Sequence, residues 1–113
     1  MEIREALTVD CPQDLRRWFE ENGATKIEIW LNFQRKSSGK QTLTIAQAVE
    51  EALCFGWIQS RLKPLGPDGF SVRFSPRRAG SYWSPANLQR ARRLIAAGKM
   101  TAAGRAVLPQ DFD

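Results

Sequence analysis

The sequence predicts an α+β domain: a small antiparallel sheet with three to four helices packed mainly on one face. Three observations lead there. Residues Lys26 to Gln34 alternate polar and apolar without a break, the period of a strand buried on one side. Two further strand-like segments flank the turn-forming Gly66-Pro67-Asp68-Gly69. Amphipathic segments with recognisable caps are interleaved with them. At 113 residues the chain is one domain, 1–113, with no room for a second core.

The first helix is expected from Pro12 to Asn22. Proline suits the first turn, where its missing N–H costs nothing, and Gly23 suits a left-handed stop. Leu15, Trp18 and Phe19 share one face, and Arg16, Arg17, Glu20 and Glu21 the other. In the strand that follows, Ile27, Ile29, Leu31 and Phe33 point one way. Trp30 falls on the polar side, where something must cover it or bind it. Thr44-x-x-Gln47 is a capping box opening a second helix to about Phe55, with Ile45, Ala48, Val49, Ala52 and Leu53 as its stripe and Gly56 as its end.

Trp57 and Ile58 lead into a hairpin. A three-residue loop at the Gly-Pro-Asp-Gly turn pairs Pro64 with Val72 and Leu62 with Phe74, and sets Lys63 against Arg73. Pro64 marks an edge strand. Ser84-Pro85 caps and opens a third long helix, with Leu88, Ala91, Leu94 and Ile95 inward, Arg90, Arg92 and Arg93 outward, and Gly98 at its close. A short last helix runs from Ala102 to about Leu108 behind the cap Thr101.

Composition narrows the chemistry. The chain has no histidine, which removes Ser-His and Cys-His nucleophile systems and His-ligated metal sites. Two cysteines, Cys11 and Cys54, make neither a four-ligand zinc site nor a disulfide framework. The longest apolar run, Ala52 to Ile58, has seven residues and cannot span a bilayer. The N-terminus has no signal-peptide core, so the expectation is a cytoplasmic protein with reduced thiols, without membrane insertion. Neither a cofactor nor a metal is expected.

Charge is unevenly distributed. Residues 1–68 hold nine Lys and Arg against ten Asp and Glu; residues 69–113 hold eight against two. A basic half suggests an anionic partner, either a small ligand, an acidic protein surface or nucleic acid. Arg77, entering the helix that begins at Ser84, is the leading anion contact: its fork and the free amides after Ser84 are expected to converge. Trp83 and Trp57 would wall such a site, with Asn87 and Lys36 as polar anchors and Arg73 on the neighbouring strand. The alternative is that Trp30, Trp57 and Trp83 are simply core. Cys54 lies near a helix C-terminus in apolar company and reads as inert. Glu50 and Glu51 point about 100° apart on their helix, so at most one faces a site.

Four segments occur in order: Ala52-Leu53-Cys54-Phe55-Gly56-Trp57-Ile58, Arg73-Phe74-Ser75-Pro76-Arg77-Arg78, Ser81-x-Trp83-Ser84-x-x-Asn87 and Gly98-Lys99-Met100-Thr101-x-x-Gly104. Together they resemble the YdeI/OmpD-associated family of bacterial proteins, also labelled bacteriocin-protection proteins, over about Leu15 to Gly104. The resemblance implies a bacterial cytosolic α+β domain connected with stress or bacteriocin tolerance. It implies no reaction, cofactor or catalytic residue. Where that family commonly has an acid after Gly-Trp-Ile, this chain has Gln59.

Three functions remain open on the sequence. The first is non-catalytic binding of a small anionic ligand or acidic partner, which the Trp, Arg, Ser and Asn residues suit. The second is weak, sequence-nonspecific nucleic-acid binding through the basic half. The third is an enzyme using Cys54 or a glutamate, disfavoured by the lack of histidine.

Overall fold

The computed structural model describes residues 6–34, 43–64, 66, 69–78, 80, 82–109 and 112. The elements run β1 (Ala6–Leu7), α1 (Pro12–Asn22), β2 (Ile29–Gln34), α2 (Ile45–Cys54), β3 (Trp57–Pro64), β4 (Gly69–Pro76), α3 (Pro85–Ala96) and α4 (Ala102–Ala106). They form the expected α+β arrangement. The sheet order is β1-β2-β4-β3, antiparallel throughout the three long strands, with the short β1 added parallel to β2. As Pro64 suggested, β3 is an edge.

One face of the sheet makes the core. Ile29, Leu31 and Phe33 of β2 and Val72 and Phe74 of β4 pack with Leu15 and Phe19 of α1 and Ala48 and Ala52 of α2. Trp57 joins this cluster edge-on to Phe19 and Trp18, and its indole N–H reaches the Gly23 carbonyl. A second cluster, Leu53, Cys54, Trp83, Ala91 and Leu94, seats α3 and α4 against α2. The tryptophans at 30, 57 and 83 are all buried, so the core reading is correct for their bulk.

Local chemistry explains most boundaries. Thr44 and Gln47 close the capping box of α2, Ser84 accepts the Asn87 amide at the head of α3, and Thr101 accepts the Gly104 amide at the head of α4. Gly56 and Gly98 end their helices with positive φ. Gly23 also ends its helix, though not as expected. Its φ of −62° is right-handed, and glycine is required because a Cβ would lie 2.6 Å from the Phe19 carbonyl oxygen. The last helix stops at Ala106, short of Leu108.

Two strand expectations are corrected. β2 begins at Ile29 rather than Lys26, and Ile27 is 78% exposed: the chain leaves the sheet before its periodicity ends. In the hairpin, Pro64 pairs with Phe70, Lys63 with Ser71 and Leu62 with Val72, two residues from the expected register. Arg61, not Lys63, therefore opposes Arg73. Pro67 and Asp68 of the turn lie outside the described residues.

The opposite face of the sheet is polar around Trp30, which is nonetheless 1% exposed. Arg73 is its β4 neighbour and ties three strands together. The Arg73 Nε donates to Glu28 on the approach to β2 (2.5 Å), and its Nη1 donates to Ser60 Oγ on β3 (3.1 Å). Ser60 occupies a bulge between Gln59 and Arg61 and donates in turn to the Arg73 carbonyl. Among the described residues, no helix is long and apolar enough to cross a membrane.

Candidate functional site

The end of α2 organises the surrounding chain. At Gly56 the backbone turns with φ +78° and sends Trp57 into the core, so the following residues emerge along the edge strand. Where β4 ends, the Arg77 amide donates to the Gly56 carbonyl at 2.7 Å and pins the exit of β4 beside the entry of β3. The Arg77 side chain turns inward. Its Nη1 donates to the Tyr82 carbonyl (2.9 Å), and its guanidinium carbon lies 3.9 Å from the centre of a Trp83 ring. Burial pulls its pKa below the usual arginine value, yet a guanidinium stays charged at neutral pH. Trp83 is held from behind through its indole N–H to the Val107 carbonyl.

A cleft of about 240 Å³ opens between α2, the start of β3 and the first turns of α3. Leu53, Trp57 and Arg77 form its buried floor, with Val49 and Ile58 as half-buried walls. Gln59, Ser60, Asn87 and Arg90 form its polar rim. Asn87 and Arg90, three apart on α3, share a face, and the Arg90 Nη1 donates to Asn87 Oδ1 at 3.0 Å. That bond orients the carboxamide so that its N–H₂ group is left as the donor. None of the described residues lining the cleft is a carboxylate. The arrangement is electropositive, rich in N–H donors and built on helices and a strand.

Of the residues expected at a site, the cleft brings together Trp57, Arg77 and Asn87. Trp83 lies behind Arg77 as its stacking partner. Ser84 does not line the cleft; its hydroxyl caps α3 and accepts from the Asn87 amide, so that amide is spent within the helix end. Arg73 is on the opposite face of the sheet, paired with Glu28. Lys36 lies outside the described residues. Sequence reasoning missed Gln59, Ser60 and Arg90. The i, i+3 spacing from Asn87 could have flagged Arg90; Ser60 reaches the rim through a bulge that no sequence pattern announces.

A second polar cluster corrects the view of Cys54. Arg16 of α1 donates to Glu51 (3.1 Å) and to the Lys99 carbonyl (2.7 Å), and the same guanidinium acts on the Cys54 thiol. The cysteine's company is therefore not purely apolar. Burial still dominates and pushes its pKa up, against the pull of Arg16. Glu50 and Glu51 line one concavity beside Arg16, whereas at most one was expected to. Each is committed to its own cation, Glu51 to Arg16 and Glu50 to Arg93. Among the described residues no group of His, Cys, Asp or Glu could hold a metal ion.

No curated protein and no solved structure matches the chain. A family described only as a domain of unknown function, DUF8412, matches residues 7–107, which include every residue of the cleft. The chain belongs to the DUF8412 family.

Proposed function

We propose that this protein binds a small anion in the cleft between α2, β3 and α3 without transforming it. The observation that carries this reading is the lining: two arginines and two carboxamides around one opening, with no acid among the described residues there. At about 240 Å³ the cleft is smaller than the ~300–1,000 Å³ of drug-sized ligand sites, which suits a small occupant or a single carboxylate presented by an acidic partner. Binding is favoured over catalysis because the described lining holds no carboxylate, thiol or imidazole to act as general acid, general base or activating partner. The likeness of its motifs to the YdeI/OmpD-associated family supports a role in stress or bacteriocin tolerance in a bacterial cytosol.

Nucleic-acid binding is the weaker reading. The arginines of α3 are drawn into separate local contacts: Arg90 with Asn87, Arg92 over Phe112 and Arg93 with Glu50. They line one open concavity, with the Glu50 carboxylate among them paired to Arg93.

A thermal-shift comparison tests the proposal. Phosphate or sulfate should raise the melting temperature above a chloride control of equal ionic strength, since a ligand of the native state stabilises it. Gln59→Glu places a carboxylate on the exposed rim and should abolish the difference without unfolding the protein. Equal gains in wild type and Gln59→Glu would refute the site.

A further inference from the structure

The cleft is not uniformly polar, and its division into floor and rim says more about the occupant than its charge does. The buried floor is carbon beside one engaged cation: Leu53 and Trp57 are within 2% of full burial, Val49 and Ile58 continue the apolar surface upward, and the Arg77 guanidinium stacks on Trp83 and donates to the Tyr82 carbonyl. The other donors stand at the mouth. Arg90 spends Nη1 on Asn87 Oδ1; among the described residues its remaining N–H groups and the Asn87 N–H₂ donate to nothing. Gln59, on β3, adds a further carboxamide to the lining.

An inorganic anion seated at that mouth would leave the apolar walls below it wetted, which is unfavourable. A ligand whose charged end meets Arg90 and Asn87, and whose body descends along Val49, Leu53, Trp57 and Ile58, satisfies both halves. A guanidinium edge next to a carboxamide N–H₂ matches the two oxygens of a carboxylate. We infer that the occupant is a small monocarboxylate with a short aliphatic or aromatic tail. This rests on the anion-binding reading and narrows it to one chemical class.

The tail gives the inference a quantitative signature. Each methylene buried on the walls should strengthen binding about fourfold, and two about fifteenfold, until the cleft is full. The experiment is an NMR titration of the full chain with acetate, butyrate and hexanoate, with phosphate, chloride and hexanol as controls. It follows the side-chain amides of Gln59 and Asn87 and the indole N–H of Trp57. The expected result is affinity rising along the carboxylate series, shifts confined to the cleft, and loss of binding in Gln59→Glu and Arg90→Gln. Far-UV circular dichroism and the melting temperature establish that both variants are folded.

Phosphate binding with no gain from acetate to hexanoate would overturn the tail and leave the anion reading intact. Hexanol binding as tightly as hexanoate would overturn both, because charge would then play no part. The absence of cleft shifts with any anion would also overturn both.

Discussion

Thr101 makes two different contacts through one hydroxyl, and removing it should loosen α4 from the end of α2. Its Oγ1 donates to the Cys54 carbonyl at 2.5 Å and accepts from the Gly104 amide at 3.3 Å, while its own amide also donates to Cys54 at 3.0 Å. The Cys54 carbonyl belongs to the last turn of α2, where no intrahelical donor exists, so Thr101 caps the end of one helix and the beginning of the next. Thr101→Val keeps the shape and the backbone bond but deletes both hydroxyl contacts. A lost N-cap costs about 1 kcal/mol, and a lost part-buried hydrogen bond about 1 kcal/mol more. Near 2 kcal/mol in total, the melting temperature of a domain this size should fall by roughly 8–10 °C. Urea unfolding monitored by tryptophan fluorescence measures this directly, with an unchanged m-value as the sign that only stability has moved. Thr101→Ser retains the hydroxyl and should lose less than half as much. A Thr101→Val variant within about 0.5 kcal/mol of wild type, the range of ordinary surface substitutions, would refute the double-capping argument.

Cys54 should label with a thiol reagent far more slowly than Cys11, because it is fully buried and Cys11 is only half-buried; equal native-state rates would revive thiol chemistry. Its pKa is raised on folding, so above the ordinary value of 9.0 the unfolded chain loses that proton first, and stability contributed by the neutral thiol declines as the pH climbs. Cys54→Ala should therefore flatten the alkaline limb of the stability–pH curve relative to wild type. Any nucleic-acid binding should be weak, indifferent to sequence and steeply salt-dependent; a sequence-specific complex at physiological salt would promote that function over the ligand cleft.

Helices were more legible than strand pairing because their boundaries are written locally. Pro12 and Pro85 mark first turns, Thr44 and Gln47 a capping box, and each of those signals depends on residues within one turn of itself. The hairpin register depends on contacts far along the chain. Turn chemistry at 66–69 preserved which residues share a face, because a shift of two leaves the pleat unchanged. It missed the shift itself, which is already present at Pro64–Phe70 beside the turn; the Ser60 bulge then moves the register by one more, to Gln59–Phe74. Gly23 shows the opposite failure. The helix end was placed correctly from glycine's backbone freedom, whereas the structure requires glycine for the space beside Phe19. A third of the cleft lining was visible for a similar reason: Trp57, Arg77 and Asn87 belong to local motifs, while Gln59 and Arg90 come to one cleft only after β3 and α3 have folded.

The residues that carry the motif resemblance are mostly occupied in holding the chain around the end of α2. A Cβ on Gly56 would lie 2.8 Å from the Ala103 carbonyl oxygen, and one on Gly104 would lie 2.5 Å from that of Cys54, so both glycines permit α4 to dock. Thr101 caps that junction, Trp83 reaches Val107 beyond it, and Arg77 joins Trp83 to Tyr82 and, through its amide, to Gly56. These positions specify a scaffold, and substitution there should lower stability whatever the ligand. The exposed lip of the cleft is made by Gln59 and Ser60, with Arg90 of α3, and none of the three belongs to the motif segments. Ser60 is held by its bonds to Arg73, so under the proposed reading Gln59 and Arg90 are the rim side chains that can be exchanged at least cost to folding. Gln59 is the sharpest case: under the proposed reading, an acid there would share the cleft lining with Arg77 and Arg90 and offset their charge. Under the proposed reading, ligand choice falls to the side chains of the rim, above a floor whose form is fixed by the core.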